Sequence, residues 1–257
     1  IDNPVLSDKR IRQALLHAID RKGLSDELYY GLNPVADSWL PPKHPAFNEE
    51  NITKYDYNPE KAKQLIKEAG WTMNEKTGFF EKDGKLLSIT FITSAGNKLR
   101  EQMQAVISTN WKTVGVEVTT KNEQTTTLFT LTLKERQFDG PTAVMFAWVM
   151  GPQSDFYSLV NSKQIPTQSN GWSGQNYPGF RNEKVDALSQ ECLKMLDKKK
   201  IYHNMAQIQT ILTQELPSLP LFYRVNVTTA RKDLRGYFPS GAGVSDTWNG
   251  AWWSWDQ

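Results

Sequence analysis

The sequence predicts an α/β fold in which helices pack on a mixed sheet. Apolar and polar residues alternate at residues 87–91 and 116–120, as in half-buried strands, and residues 143–149 are almost continuously apolar. Between these strands, residues 97–115 have apolar side chains three and four positions apart, and residues 125–136 are typical of a polar helix. The order strand, helix, strand, helix, strand favours the layered α/β class.

The chain opens with two helices and a long loop. Ser7 is a suitable N-cap for the first helix, which places Ile11, Ala14, Leu15, Ala18 and Ile19 on one face. A shorter helix follows and ends at Gly31. Residues 33–57 contain four prolines and Trp39, so we expect a long ordered loop, a feature that is more often functional than idle.

Residues 55–71 contain a helix with both ends specified. Asn58 is a good N-cap, Pro59 suits the first helical position and Gly70 suits the left-handed turn that ends a helix. The pair Asp83-Gly84 then predicts a tight hairpin before the strand at residues 87–91.

The helix of residues 97–115 is expected to end at Gly115 and to turn a set of apolar residues inward, namely Leu99, Met103, Val106, Ile107 and Val114. The strand at residues 143–149 is expected to be covered on both faces. Two tandem helices should follow, at residues 183–196 and after an Asp197 cap, and then a strand at residues 219–225.

Composition restricts the function. There are 30 basic and 28 acidic residues, a net charge of +2, so nothing favours nucleic acid as a partner. The run at residues 198–200 is three lysines and is typical of a solvated helix face. The single cysteine, Cys192, lies on the apolar stripe of a helix and is interpreted as core. No apolar run approaches the roughly 18 residues that span a bilayer, so the segment is expected to be soluble.

Signatures of enzymes, metals and cofactors are absent from the sequence, so we expect no catalytic residue, no metal and no cofactor. Three loops at strand ends instead carry aromatic and neutral polar residues, which suit a polar, uncharged ligand. The candidate ligand-binding residues are Trp39, Trp148, Met150, Gly151, Asp155, Asn170, Trp172, Gln175 and Tyr177. For Trp148 and Trp172 a core role and a ligand role are equally open, whereas Trp71 and Trp111 are expected to be core.

Four motifs in order carry a resemblance to a known family. They are the opening helix at residues 3–21, the helix with Asn58-Pro59, the segment at residues 177–188 and the segment at residues 216–223. Together they resemble the carboxyl-terminal half of family 5 extracellular solute-binding proteins, the receptors that deliver peptides, nickel complexes or some sugars to ABC importers.

The resemblance implies one lobe of a two-lobed, periplasmic-binding-protein-like clamp (class II). Residues 1–225 would form the carboxyl-terminal, solute-binding lobe, and residues 226–257, with four tryptophans, would return to an amino-terminal lobe. The implied partners are a peptide or other small solute, the missing amino-terminal lobe of the same protein and the permease subunits of an ABC importer. The implied location is periplasmic or extracellular, at the membrane through the importer.

One position departs from the family. In peptide-binding members an aspartate three residues after the tryptophan pairs with the amino terminus of the peptide, and this chain has Gly151 there. Either Asp155 substitutes or the ligand lacks a free amino group, so a sugar or another uncharged solute is an alternative to a peptide. Two other classes stay open: a hydrolase with an unrecognised carboxylate site, and an interaction module that docks through the tryptophans of residues 248–255.

Overall fold

The computed structural model describes residues 1–149, 156–240 and 245–256. The chain divides into two compact units. The first comprises Ile1–Phe146 and Asp155–Tyr223, and the second comprises Ala147–Ser154 and Arg224–Gln257. Among the described residues, no helix is both long enough and apolar enough to cross a bilayer.

The first unit opens with three helices, α1 (Pro4–Ser7), α2 (Lys9–His17) and α3 (Arg21–Tyr29). The prediction that Ser7 caps the first helix is wrong. Ser7 ends α1, and the carboxylate of Asp8 caps α2 by accepting the backbone N–H of Arg10 at 2.9 Å. Pro4 lets an extra short helix form first, because proline fits a first helical turn. The predicted apolar face of α2 is buried.

Residues 33–57 form the expected long loop, with one 3₁₀ turn at Glu49–Asn51. The strand predicted at residues 219–225 is wrong, because with the described part of the chain this segment makes a single bridge, from Phe222 to Val35 of the loop. Pro217 and Pro220 lack the N–H groups that a ladder requires.

Helix α4 (Pro59–Glu68) begins and ends as predicted, with the Asn58 side chain accepting the N–H of Lys61 and Gly70 at φ +87°. An antiparallel sheet follows, of β1 (Thr72–Asn74), β2 (Phe79–Lys82) and β3 (Lys85–Leu86). Asp83 and Gly84 both have positive φ, so the predicted tight turn is confirmed.

A parallel sheet forms the centre of the unit. Its strands are β4 (Ser88–Ser94), β5 (Glu117–Glu123) and β6 (Thr142–Met145), in the order β5-β4-β6, with helix α5 (Lys98–Thr113) between β4 and β5. The indole of Trp111 is buried and donates to the carbonyl of Leu15 at 2.9 Å, which joins α5 to α2. Trp71 is buried as well, so the core assignment of both tryptophans is confirmed. Leu99 was predicted to face inward but is 42% exposed in the first turn of α5.

The strand predicted at residues 143–149 is shorter and less buried than expected. β6 lies at the edge of the sheet, and only Met145 of its four residues is buried. From Ala147 the chain belongs to the second unit, where Trp148 and Val149 are exposed. Before β6, α6 (Thr125–Thr127) continues as a π-helix at Leu128–Leu133, three residues short of the predicted end.

The first unit ends with α7 (Tyr157–Val160), α8 (Glu183–Cys192) and α9 (Lys198–Glu215). Asp197 caps α9 and Cys192 is buried, as predicted. The predicted end of α8 at Leu196 is wrong, because the chain turns at Lys194, whose N–H bonds the carbonyl of Glu191. In the second unit, β7 (Leu234–Arg235) pairs antiparallel with β8 (Ser254–Trp255).

Candidate functional site

The carboxyl ends of the three parallel strands meet at one edge of the sheet, the position where open α/β sheets bind ligands. The N–H of Ala95, just after β4, donates to the carbonyl of Glu123 at the end of β5 at 2.7 Å. The hydroxyl of Thr93 donates to the carbonyl of Met145 at the end of β6 at 3.0 Å. The strand ends therefore form a hydrogen-bonded platform.

Glu123 is a buried carboxylate on this platform, and sequence reasoning missed it. Its carboxylate pairs with the ammonium of Lys121 at 2.8 Å and accepts the hydroxyl hydrogen of Thr132 from the π-helix. Burial acts to raise the pKa of Glu123, but the hydrogen bonds from Lys121 and Thr132 and the lysine charge outweigh it, so the pKa lies below its usual value. The sequence gives no signal of this burial, because residues 119–123 are polar throughout.

Trp39 is half-buried on the long loop and is held by its neighbours. The hydroxyl of Tyr223 lies 2.9 Å from the carbonyl oxygen of Ser38 and 2.7 Å from that of Leu40, so it fixes the backbone on both sides of the indole. Burial raises the pKa of Tyr223, which keeps its hydroxyl protonated as a donor. The indole meets the buried ring of Phe156 edge to face, with centroids 6.1 Å apart.

The loop at residues 167–177 is organised by Asn176, which is fully buried and was not among the predicted site residues. Its amide nitrogen lies 2.8 Å from the carbonyl oxygen of Phe180, 3.1 Å from that of Asn161 and 3.2 Å from that of Val160. Its amide oxygen accepts the N–H of Phe180 at 2.9 Å. This side chain therefore joins the loop to the end of α7.

Asn170 uses its polar atoms within its own loop. Its oxygen accepts the backbone N–H groups of Thr167 at 2.9 Å and Ser173 at 3.1 Å, and its nitrogen donates to the carbonyl of Ile165 at 2.9 Å. The residue shapes the loop that presents Trp172, which is half-buried and has a left-handed backbone with φ +59°.

Gln175 and Tyr177 reach two different parts of the same region. The N–H of Gln175 donates to the carbonyl of Ser158 on α7 at 3.1 Å, and no group in the described parts of the chain hydrogen-bonds its side-chain amide. The ring of Tyr177 meets that of Phe146, directly after β6, edge to face with centroids 6.4 Å apart. Tyr177 thus links the loop to the carboxyl edge of the sheet.

The structure brings several of the predicted residues together. Trp39 and Gln175 both contact the α7 segment, through Phe156 and Ser158, and Tyr177 lies beside the end of β6. Trp148 is in the second unit, 45% exposed. The predicted residues Met150, Gly151 and Asp155 lie outside the described residues.

The site presents aromatic rings and neutral amides, which stack on flat or apolar groups and exchange hydrogen bonds without a fixed charge. Within residues 1–149, 156–240 and 245–256, no cluster of three or more His, Cys, Asp and Glu side chains is arranged to hold a metal. The arrangement is suited to reversible binding of a solute.

Comparison with known proteins gives consistent results. The model of the family "Bacterial extracellular solute-binding proteins, family 5 Middle" matches residues 1–167. The oligopeptide-binding protein AppA of Bacillus subtilis (strain 168) is 30% identical, and the match covers 91% of this chain and 42% of AppA.

Solved structures agree with this match. The structure of Bacillus subtilis AppA in complex with a nonapeptide superposes with a TM-score of 0.84 at 28% identity, over 99% of this chain and 49% of that one. The oligopeptide-binding protein of Thermus thermophilus, complexed with a pentapeptide, gives a TM-score of 0.80 at 33% identity, over 91% and 41%. The chain thus spans less than half the length of each of these proteins.

Proposed function

Because the chain belongs to family 5 of the bacterial extracellular solute-binding proteins, we propose that it is part of a receptor that binds a peptide or related solute and delivers it to an ABC importer. The fold supports this premise, since the predicted α/β class is that of the periplasmic binding proteins it resembles. The family consists of substrate-binding proteins, and we propose no catalytic role for this chain.

The observation that carries the proposal is the convergence of Trp39 and Gln175 on α7, with Tyr177 at the edge of the parallel sheet. Each presents a group that a peptide backbone or a sugar needs: a ring face or a neutral amide. Buried polar side chains hold the loops in place, so the site is largely formed before the ligand arrives, as is usual for small-molecule sites.

The ligand class rests on two considerations. The two solved relatives bind a pentapeptide and a nonapeptide, which favours a peptide. The glycine at position 151 removes the family aspartate that pairs with a peptide amino terminus, which favours a ligand without a buried ammonium. We propose a peptide whose amino terminus is not bound by a carboxylate at that position, with an uncharged solute such as a sugar as the alternative.

The proposed location and the division into lobes follow from membership of the family. Family 5 receptors are extracellular or periplasmic, and we propose the same location here, at the membrane through the permease subunits of the importer. We propose that residues 1–225 form the solute-binding lobe and that residues 226–257 return to an amino-terminal lobe. The division of the chain near Tyr223 supports this. The two lobes would close on the solute, with the ligand favouring the closed form.

The proposal is tested on the full-length protein by calorimetry with a pool of random pentapeptides and the same pool after amino-terminal acetylation. We expect both pools to bind with similar affinity. Trp39→Ala and Gln175→Ala should each weaken binding at least about tenfold, the loss of one good contact. Gln207→Ala, at a half-exposed glutamine of α9, is the matched control and should bind normally.

Affinity that is unchanged by both site variants would contradict the proposed site. Binding restricted to the unacetylated pool would show that a carboxylate, such as Asp155, receives the ammonium. Failure of both pools, with mass spectrometry finding a co-purified sugar, would favour the alternative ligand. If the protein turned over a substrate and a single Asp or Glu substitution abolished that turnover, the protein would be an enzyme and not a receptor.

A further inference from the structure

Residues 193–200, the turn between α8 and α9 together with the first turn of α9, combine exposed leucines with a dense group of lysines. Leu196 is 98% exposed and Leu193 is 49% exposed, although leucine is normally buried. The basic residues of this segment are Lys194, Lys198, Lys199 and Lys200, and all four are exposed. We call residues 193–200 the hairpin tip.

Solvation of the charged lysines does not explain why the two leucines are exposed. The sequence pattern placed residues 193–196 in α8, but the helix ends at Cys192, so Leu193 and Leu196 lie beyond the helix whose apolar face buries Val185 and Cys192. A side chain that is 98% exposed makes almost no packing contact with the described residues, so it is available to an external apolar phase.

The positive charge of the hairpin tip is also not neutralised by ion pairs with the described residues. None of its four lysines forms an ion pair with any described residue of the chain. Its one acidic residue, Asp197, is engaged as the N-cap of α9 through the N–H of Lys199 at 2.9 Å. The whole chain carries a net charge of only +2, so this is a local concentration of positive charge on a nearly neutral protein.

We propose that the hairpin tip binds the surface of a membrane that contains anionic phospholipids. Lysines near such a surface bind to its negative potential, and leucines enter the boundary between head groups and acyl chains. Flexible ammonium groups beside a protruding apolar residue suit a fluid lipid surface better than the shaped, well-packed contact of a protein interface. The tip would hold the protein against the lipid bilayer independently of any solute, which goes beyond the proposed transport function.

The test is co-sedimentation of the full-length protein with protein-free vesicles that contain about one-third phosphatidylglycerol in phosphatidylcholine, a composition that gives a strongly negative surface. We expect binding that falls steeply with salt and is absent on pure phosphatidylcholine. The triple variant Lys198→Gln, Lys199→Gln, Lys200→Gln should lower the partition coefficient roughly a hundredfold, at about fivefold for each charge. Leu196→Ser should lower it about tenfold.

Two matched controls separate the tip from general surface properties. The triple variant Lys76→Gln, Lys85→Gln, Lys112→Gln removes the same charge from exposed lysines elsewhere and should bind normally. Leu32→Ser changes another exposed leucine, 54% exposed, and should also bind normally. Circular dichroism of all variants verifies that these surface changes leave the fold intact.

Three results would overturn the proposal: no binding of the wild type to anionic vesicles, equal losses in the tip and control variants, or normal binding by Leu196→Ser. Binding only to membranes that contain protein, through the same lysines, would assign the tip to an acidic protein surface. The solute affinity of the same variants is measured separately. It tests the proposed transport function independently, because the tip variants leave Trp39 and Gln175 unchanged.

Discussion

Asn176→Ala should strongly destabilise the protein, because Asn176 is fully buried and its side chain hydrogen-bonds the backbone of Val160, Asn161 and Phe180. Its two amide hydrogens are shared among three carbonyl oxygens at 2.8–3.2 Å, and its oxygen accepts one N–H at 2.9 Å. That amounts to about three full hydrogen bonds, each with a net contribution of about 1 kcal/mol. Alanine leaves these backbone groups without partners in a site closed to water, so we expect a cost of about 3 kcal/mol.

Asn170→Ala is the matched control. Asn170 also makes three hydrogen bonds to backbone groups of its loop, at 2.9–3.1 Å, but it is exposed, so water replaces them when the side chain is removed. We expect a cost below about 1 kcal/mol for this variant. The pair therefore compares burial at a nearly constant number of hydrogen bonds.

The measurement is thermal unfolding followed by circular dichroism. For a chain of this size, about 3 kcal/mol corresponds to a melting temperature lowered by roughly 6–12 °C, and the control should shift by less than about 4 °C. Equal shifts in the two variants would refute the reasoning, since the hydrogen-bond count rather than burial would then decide the cost. Weaker peptide binding by Asn176→Ala at temperatures where it is folded would further indicate that this side chain positions Gln175.

Three further predictions concern stability. The pKa of Glu123 is below its usual 4.5 in the folded protein, so its carboxylate stabilises the fold above that pH, and this contribution is lost as pH falls through the folded pKa. Melting temperatures between about pH 7 and pH 3 should therefore fall less for Glu123→Gln than for the wild type. Gly174→Ala should lower the free energy of unfolding by at least about 2 kcal/mol, because φ is +96° and the new Cβ would lie 2.1 Å from the carbonyl oxygen of Gln164. The control Gly171→Ala, whose Cβ would enter open space, should cost about 1 kcal/mol. Denaturant unfolding measures both. Leu196→Ser, at a side chain without packing contacts to lose, should change the free energy of unfolding by less than about 0.5 kcal/mol.

Local chemistry explains why parts of the fold were predictable. Asn58 and Gly70 determine the ends of α4 from their own side-chain and backbone preferences, and Asp83-Gly84 determines its turn in the same way. Ser7 could not be assigned in this way, because it is the last residue of α1 and its hydroxyl donates to the carbonyl of Pro4, which leaves Asp8 to cap α2. The prediction of a strand covered on both faces at residues 143–149 was wrong for another reason. Burial depends on which strand lies at the edge of the sheet, and no local sequence pattern indicates the strand order.

The residues of the candidate site also fall into two groups, those that local sequence indicates and those that only the fold reveals. Trp39, Gln175 and Tyr177 could be proposed as site residues because aromatic and amide residues on loops are informative in themselves, and their role in binding stays a prediction. Glu123 and Asn176 were missed because their importance depends on partners distant in sequence, such as Thr132 and Phe180, or on burial that only the fold creates. A residue that positions others is invisible to composition and spacing.

In the candidate site, buried polar groups hold the backbone that presents the other side chains. The backbone at Trp39 is fixed by the Tyr223 hydroxyl, and the loop that holds Gln175 is fixed by Asn176, so the buried polar groups keep their positions whichever side chain the loop presents. Substitutions at the presented positions would alter the groups that the candidate site offers to a ligand, and substitutions at the buried positions cost stability first. We therefore expect exchange of the half-buried Gln175 to lower the melting temperature less than exchange of the buried Asn176, whereas exchange of Trp39 also loses its edge-to-face contact with Phe156.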